Sequence, residues 1–318
     1  MIEIRSFLNT DPPAIVDIWQ QQKPLRCLSQ VMNRQLLDRM VLAKPYFDPA
    51  GLLVAFDNGK PVGFVHAGFC PNQDHSCVDY SRGVLSQLQV CNCEHSDDVA
   101  NSLLESALAY LKSRGAKSCV AGGSFPDAPF YVGLYGGSRI PGVPEEDAEL
   151  FGRLTRIGFQ SCEQIHVMQL NLAGFRPAVN RALMTVRRQF QVAAIVDPLL
   201  PNWWECCTYG WAEVFGFRVV RRSDKQVVGS VLFWEIQPLS SQWGKVTMGL
   251  VDLAIKEDAR KQGIGTYLIN ESLRHLADNG VACVEIQMRG SDEPAIAIAR
   301  RTGFEQISQG REMRLELG

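Results

Sequence analysis

Residues 253–285 read LAIKEDARKQGIGTYLINESLRHLADNGVACVE, and residues 88–120 read LQVCNCEHSDDVANSLLESALAYLKSRGAKSCV. The two stretches align without a gap, 165 residues apart. Each predicts an apolar strand, a polar turn, an amphipathic helix and a second strand. Gly280 and Gly115 stand where the helix of each stretch should end. The sequence therefore predicts a duplicated α/β unit.

The similarity continues on both sides of these stretches. Upstream, residues 51–69 and 217–236 each predict a β-hairpin around a polar turn. Downstream, RIGF at 156–159 matches RTGF at 301–304. This last match has a shorter separation, because the first copy carries about 20 extra residues. We place them in the Gly- and Pro-rich stretch 122–150, called here the inserted segment.

Composition narrows the class of protein. The 318 residues are 46% hydrophobic and 21% charged, which is typical of a globular chain long enough for two domains. The formal net charge of −2 argues against a nucleic-acid partner. Neither the N-terminus, MIEIRSFLNTDPP, nor any later run resembles a signal peptide or a membrane span. We therefore expect a cytoplasmic protein with no membrane partner.

Cysteine and histidine patterns do not predict a metal site. Ten cysteines are scattered through a chain too large to need a disulfide framework, which favours free thiols. Cys91 and Cys93, like the adjacent Cys206 and Cys207, lack a second pair that would complete a zinc ligand set. The remaining candidates also show no ligand spacing and are expected to be structural: His66, His75, His166 and His275.

One turn in the second copy has the residues expected of an anion-binding site. The strand predicted over 246–255 leads through Arg260 and Lys261 to Gly263 and Gly265, and then to a helix predicted from Thr266 to Asp278. Glycines allow close backbone approach, and the first N–H groups of a helix lack partners within it. The helix dipole adds attraction for an anion. This arrangement suits a diphosphate, although two glycines can also form an ordinary tight turn.

The same turn resembles motif A of the GNAT acyl-CoA N-acyltransferase superfamily, R/Q-x-x-G-x-G/A. Arg260, Gly263 and Gly265 fill its positions. The segment DEPAIAIARRTGF at 292–304 is similar to the closing segment of the family, with matches at Ala295, Ile298, Gly303 and Phe304. A Rossmann site is the nearest alternative, but it needs G-x-G-x-x-G and an acidic residue after the next strand.

The resemblance implies a fold and a cofactor. It implies an α/β (α+β) protein of two tandem GNAT-like domains, residues 1–172 and 176–318, each with a mixed, mostly antiparallel central sheet flanked by helices. It implies acetyl-CoA or another acyl-CoA in the second domain, with the pantetheine arm along Leu253 and Ile255 and the diphosphate in the loop 261–266. The implied contacts are Leu253, Ala254, Ile255, Arg260, Lys261, Gln262, Gly263, Ile264, Gly265, Thr266, Asp292 and Ala295.

The first copy departs from this motif. His95, Asp98 and Ala100 stand where the second copy has Arg260, Gly263 and Gly265. Asp98, with nearby acidic residues, would repel a diphosphate, and its Cβ would obstruct the backbone. We therefore expect little or no acyl-CoA binding in the first copy. The inserted segment either helps to form an acceptor pocket between the domains or is a surface excursion.

Candidate catalytic residues are less well defined. Acyl transfer needs a neutral amine, and the family often uses a carboxylate on a strand as the base. The candidates here are Asp252, Glu235 and Glu285. For each of them the alternative is a structural role in a salt bridge. Asp252 is the first choice because it directly precedes Leu253, in the strand where the resemblance places the pantetheine arm and its thioester. Ala299 occupies the position of the tyrosine that protonates the thiolate in many relatives, so Tyr267, Tyr209 or water must replace it. Aromatic residues near Tyr209 either wall an acceptor site or pack in a core: Trp203, Trp204 and Trp211.

Two functions follow as alternatives. The first is an N-acyltransferase, with acetyl as the expected group, that acylates an amine of a small molecule or peptide by direct attack. The second is a non-catalytic acyl-CoA-binding regulatory protein. Both need the cofactor loop in the second domain, and both are compatible with a monomer or a homodimer.

Overall fold

The computed structural model describes residues 2–177 and 181–318. In the first copy, strands with alternating or continuous apolar positions are connected by helices and long loops. Its strands are β1 (Ile2–Ser6), β2 (Leu52–Asp57), β3 (Lys60–Pro71), β4 (Val78–Val90), β5 (Ser118–Ala121), β6 (Val143–Pro144) and β7 (Gln160–Asn171). Its α-helices are α1 (Pro12–Gln20), α2 (Arg34–Leu37), α3 (Ser96–Ser113) and α4 (Ala148–Arg156). A π-helical turn, Asp38–Leu42, continues α2, and a 3-10 turn, Pro49–Gly51, precedes β2.

The second copy repeats the main order of elements, with an extra helix at its start and another before its fourth strand. Its strands are β8 (Phe190–Ile195), β9 (Val214–Arg221), β10 (Val227–Glu235), β11 (Thr247–Ile255), β12 (Cys283–Arg289) and β13 (Glu305–Glu316). Its α-helices are α5 (Arg181–Gln189), α6 (Trp203–Tyr209), α7 (Gln237–Trp243), α8 (Ile264–Asp278) and α9 (Glu293–Arg301). A 3-10 turn, Glu257–Ala259, follows β11. None of the helices in the described ranges is both long and apolar enough to cross a membrane.

The repeated stretches fold alike in detail. Helices α3 and α8 both end at a glycine with positive φ, +100° at Gly115 and +83° at Gly280. Each glycine N–H donates to the carbonyl three residues back, and the next N–H donates to the carbonyl five residues back. Such bonds satisfy carbonyls that the helix leaves unpaired. The predicted helix ends are therefore confirmed at both positions.

The strands join into one continuous sheet, in which the two copies exchange their last strands. The order is β1-β2-β3-β4-β5-β13-β7-β12-β11-β10-β9-β8, with β6 beside β13. Thus β13 of the second copy pairs with β5 of the first, and β7 of the first copy pairs with β12 of the second. Most neighbours are antiparallel, whereas β4–β5 and β11–β12 are parallel. The predicted mixed, mostly antiparallel architecture is confirmed, and the exchange of strands adds to it.

Three large apolar clusters stabilise the fold. One lies under α3 in the first copy and one under α8 in the second. The third joins both copies, with Trp19 and Tyr131 from the first packed near Tyr209, Trp234 and Val251 from the second. Burial of such large side chains stabilises by about 1.5–3 kcal/mol each. The interface between the copies is therefore part of the hydrophobic core.

Candidate functional site

Strands β11 and β12 separate to open a cavity. Their parallel pairing covers Thr247 to Gly249 and then stops, while β12 remains paired with β7 as far as Arg289. The pairing of β11 with β10 shifts register at the same level, with Asp252 opposite Leu232 and Leu250 opposite Phe233. Such a bulge bends a strand away from its regular course. The gap opens into a cavity of about 1130 Å³.

Both walls and the base of this cavity come from elements predicted to hold the cofactor. Strand β11 forms one wall, β12 and α9 form the other, and the start of α8 closes the base. Every predicted cofactor residue except Gln262 lines the cavity: Leu253, Ala254, Ile255, Arg260, Lys261, Gly263, Ile264, Gly265, Thr266, Asp292 and Ala295. Gln262 is exposed, and its Nε2 donates to the carbonyl of Asp258 at 3.0 Å.

The loop before α8 depends on backbone conformation that favours glycine. The helix begins at Ile264, two residues earlier than predicted, and Gly263 is its N-cap with φ +79°. No side chain caps this end, so its first N–H groups are left to the cavity. A Cβ on Gly263 would meet nothing closer than 3.8 Å, and one on Gly265 nothing closer than 3.4 Å. Gly263 is therefore needed for its φ, and the space around it is open.

The matching place in the first copy is closed. Helix α3 begins at Ser96, the repeat equivalent of Lys261, so Asp98 lies inside the helix. Arg153 of α4 pairs with Asp97 at 2.7 Å and also with Glu149. The nearby cavity is about 20 Å³, which is room for about one water molecule. The first copy thus fills the place of a ligand with its own side chains.

Comparison with known proteins agrees with this geometry. Residues 184–304 match the family described as Acetyltransferase (GNAT) family. The matched residues lie within the second copy of the repeat. The chain is also similar to the mycothiol acetyltransferase of Saccharomonospora viridis, with 31% identity over 100 residues. That match covers 30% of this chain and 32% of the relative.

Solved structures extend the likeness to the whole chain. A tandem GNAT protein from the clavulanic acid biosynthesis pathway matches with a TM-score of 0.66 and 14% identity, over 100% of this chain and 99% of that one. The glucosamine N-acetyltransferase region of a fungal multi-domain beta-N-acetylglucosaminidase matches with a TM-score of 0.73 and 14% identity. This match covers 99% of this chain and 38% of that one. These likenesses show the tandem GNAT fold.

The three candidate bases lie in different surroundings. Asp252 lines the cavity, whereas Glu235, at the end of β10, does not. Glu285 lies on β12 behind the wall, with no exposed surface. Its carboxylate accepts hydrogen bonds from three donors, at 2.6 to 2.9 Å: Arg26 Nη2, the Ser138 N–H and Gln169 Nε2. Of the three, Asp252 alone faces the space that a substrate would enter.

The inserted segment crosses to the second copy and completes the cavity. Ser138 packs on Gly249, and its carbonyl accepts a hydrogen bond from Trp234 Nε1 at 3.1 Å. Arg139 donates to the carbonyl of Val251, and its guanidinium lies 3.5 Å from the centre of the Phe125 ring. Further residues of the first copy that line the cavity are Ser124, Ile140 and, from β7, Ile165.

Sequence reasoning missed Glu205, which lies in the first turn of α6 with 2% of its surface exposed. Burial raises the pKa of its carboxyl to about 7, with a lowering effect from Arg139 and a raising effect from Asp252. No motif marks this residue, and its spacing from Trp203 and Trp204 suggests only a short helix. The preceding Trp204 donates a hydrogen bond to the carbonyl of Pro126 in the inserted segment, a contact that the local sequence does not reveal.

Neither tyrosine proposed as thiolate acid reaches the cavity. Tyr267 and Tyr209 are both buried in apolar clusters, and burial raises the pKa of each hydroxyl. No tyrosine lines the cavity in the described part of the chain, and Ala299 is buried in α9. Trp204 packs against Tyr46, in agreement with a core role for the aromatic group. In the described ranges, His, Cys, Asp and Glu side chains form no group of three that could hold a metal ion.

Proposed function

We propose that the chain is an acyl-CoA-dependent N-acyltransferase that uses acetyl-CoA and acylates an amine of a small molecule or peptide. The observation that carries the proposal is the cavity where β11 leaves β12, with the uncapped start of α8 at its base. The relative from Saccharomonospora viridis bears the name of an acetyltransferase, which supports the same reaction class.

The residues present fit an acyl-CoA. Gly263 to Thr266 offer backbone N–H groups at a helix start, and Arg260 and Lys261 add positive charge, as a diphosphate requires. Strand β11 beyond Gly249 has no β12 neighbour, so its backbone groups can bind an extended amide-containing arm. When bound, the cofactor supplies an acyl group activated as a thioester.

The protein's own contribution is positioning and proton transfer. The two walls hold reactants close together, which removes much of the entropic cost of a bimolecular step. Asp252 lies in the lining, where its carboxylate can accept a proton from an entering ammonium group. Glu285 already accepts hydrogen bonds from three donors, so we assign it a structural role.

The acceptor is proposed to enter on the side formed by the inserted segment. Phe125, Arg139 and Ile140 of the inserted segment line this side. The inserted segment is thus more than a surface excursion, because it forms part of the cavity wall. The nearby Asp252 carboxylate suits this side to an amine that enters as an ammonium group.

Release of CoA tests the proposal and its alternative. We expect an acceptor-dependent rate above that of thioester hydrolysis with at least one member of a panel of polyamines, aminoglycosides, amino acids and short peptides. The absence of a tyrosine from the described cavity lining motivates the regulatory alternative. Tight acetyl-CoA binding without turnover across the panel supports that alternative and contradicts the enzyme.

A further inference from the structure

A buried carboxyl group on α6 lacks a full set of hydrogen bonds. Glu205 is 2% exposed, and its Oε2 has no hydrogen-bond partner among the described residues. Its backbone N–H donates to the side chain of Asn202 at 2.9 Å, so the start of α6 fixes its position. A buried acceptor left unpaired costs stability, which calls for a reason to keep it.

Charged neighbours connect this carboxyl to the cavity wall. Arg139 from the inserted segment and Asp252 from β11 are the charges that act on Glu205, and Tyr209 is the titratable group on its own helix that it affects. Arg139 donates to the carbonyl of Val251, which immediately precedes Asp252. The Arg139 guanidinium therefore contacts β11, the strand that carries Asp252, and also acts electrostatically on Glu205.

The location of this charge cluster fits the acceptor end of the cavity. Asp252 and Arg139 line the cavity. Tyr209, on the same helix as Glu205, packs in the same apolar cluster as Val251, the residue before Asp252. Lys44 holds the other end of α6 by donating to the carbonyl of Thr208 at 3.0 Å. The helix is thus fixed at both ends, and its carboxyl has little freedom to turn toward other donors.

We propose that Glu205 is a positioning residue for proton removal from the acceptor, acting through Asp252 and Arg139. This inference rests on the proposed function. In the step, the Asp252 carboxylate takes a proton from the acceptor ammonium, and the freed nitrogen pair attacks the thioester carbonyl. The C–N bond forms and the C–S bond breaks, with the electron pair leaving on sulfur. A second nitrogen proton is lost to solvent, and the thiolate takes one from solvent.

The role of Glu205 in this step is electrostatic. Ionised Glu205 adds a second negative charge near Asp252, which favours both binding of the ammonium and transfer of its proton. Protonated Glu205 lacks that charge. The positive charge of Arg139 then repels the ammonium group without compensation from Glu205. Because the pKa of Glu205 is about 7, the change falls within the working range of most assays.

The test is the pH dependence of kcat/KM for Glu205→Gln and the wild type. Both are assayed with acetyl-CoA and the panel amine that gives the highest rate. We expect the variant to be about tenfold slower at pH about 8 and within about twofold at pH about 6, because only ionised Glu205 assists. The wild-type profile should contain an inflection near 7 that the variant lacks. Acetyl-CoA affinity should be equal in the two proteins.

Two further variants keep the result interpretable. Glu205→Leu removes the charge without adding an amide, so it covers the case in which the glutamine variant fails to fold. Glu213→Gln changes an exposed carboxylate just after α6 and should keep the wild-type profile. A constant ratio of variant to wild type at every pH overturns the inference while the proposed function stands. A wild type that binds acetyl-CoA but acylates no amine overturns the function itself.

Discussion

Gly263 is the residue on which the proposed binding of the diphosphate depends most. It is the N-cap of α8, and its φ of +79° lies in the left-handed region that favours glycine. No side chain caps this helix start, so its first N–H groups are left to bind an anion.

Gly263 variants separate conformational strain from charge. Gly263→Ala should weaken acetyl-CoA binding about tenfold, because a left-handed conformation costs a non-glycine residue about 1–2 kcal/mol. Gly263→Asp should weaken it by about 100-fold or more, since a carboxylate would face the diphosphate in addition. Isothermal titration calorimetry measures both affinities. Asp98→Asn, at the equivalent place in the first copy, serves as the matched control and should bind like the wild type. Equal affinities for all four proteins contradict the assignment of the loop.

Glu205 should also make stability depend on pH. Its folded pKa of about 7 lies above the ordinary value of 4.5, so the unfolded chain loses this proton first as pH rises. The stabilisation is full below the unfolded pKa and is lost as pH rises through about 7. Between pH about 4.5 and about 8, the free energy of unfolding of the wild type should fall relative to Glu205→Gln by on the order of 2 kcal/mol. Urea denaturation at the two pH values measures it, and a constant difference contradicts it.

Among the structural elements, the inserted segment is the one whose contacts the sequence predicts least. Its length and its Gly- and Pro-rich composition predict a feature of interest, but its contact partners lie in β10, β11 and β12 of the other copy. Gly137 shows how closely it packs. A Cβ there would lie 1.8 Å from Glu285 Oε1, and the backbone has φ +143°.

Gly137→Ala should therefore destabilise the protein strongly. The added methyl displaces either the inserted segment or Glu285. In both cases Glu285 loses hydrogen-bond donors while it stays buried. An uncompensated buried carboxylate lowers the free energy of unfolding by about 3–5 kcal/mol. Gly59→Ala is the control, because Gly59 also has positive φ, +79°, and a Cβ added there would meet no atom within 4 Å. Urea denaturation of both variants gives the comparison. Equal small losses for the two variants would show that the segment is not held against Glu285.

For the molecule as a whole, the repeat predicts two similar units, and the tandem GNAT fold confirms that architecture. The exchange of β7 and β13 could not be predicted, because an apolar strand pairs equally well with either of two similar neighbours. As a result, β5 would lose a neighbour if the second copy were removed, and β12 would lose one if the first were removed. We propose that residues 1–172 and 176–318 fold interdependently.

Separate production of the two fragments tests this dependence. Each fragment alone should lack cooperative thermal unfolding, since an unpaired strand edge and the shared apolar cluster would be exposed. Co-expression should restore a 1:1 complex whose circular dichroism matches that of the intact chain. Two independently folded fragments, each with a sharp unfolding transition, would contradict the proposal.

The proposed activity of the intact chain depends on binding of the acyl-CoA diphosphate at the start of α8. A crystal structure of the intact chain grown with acetyl-CoA shows directly where that group lies. We expect diphosphate density against the N–H groups of residues 263–266, with the pantetheine arm between β11 and β12. Density for the diphosphate at residues 94–100 instead, or a loop 260–266 closed against protein, would contradict this assignment.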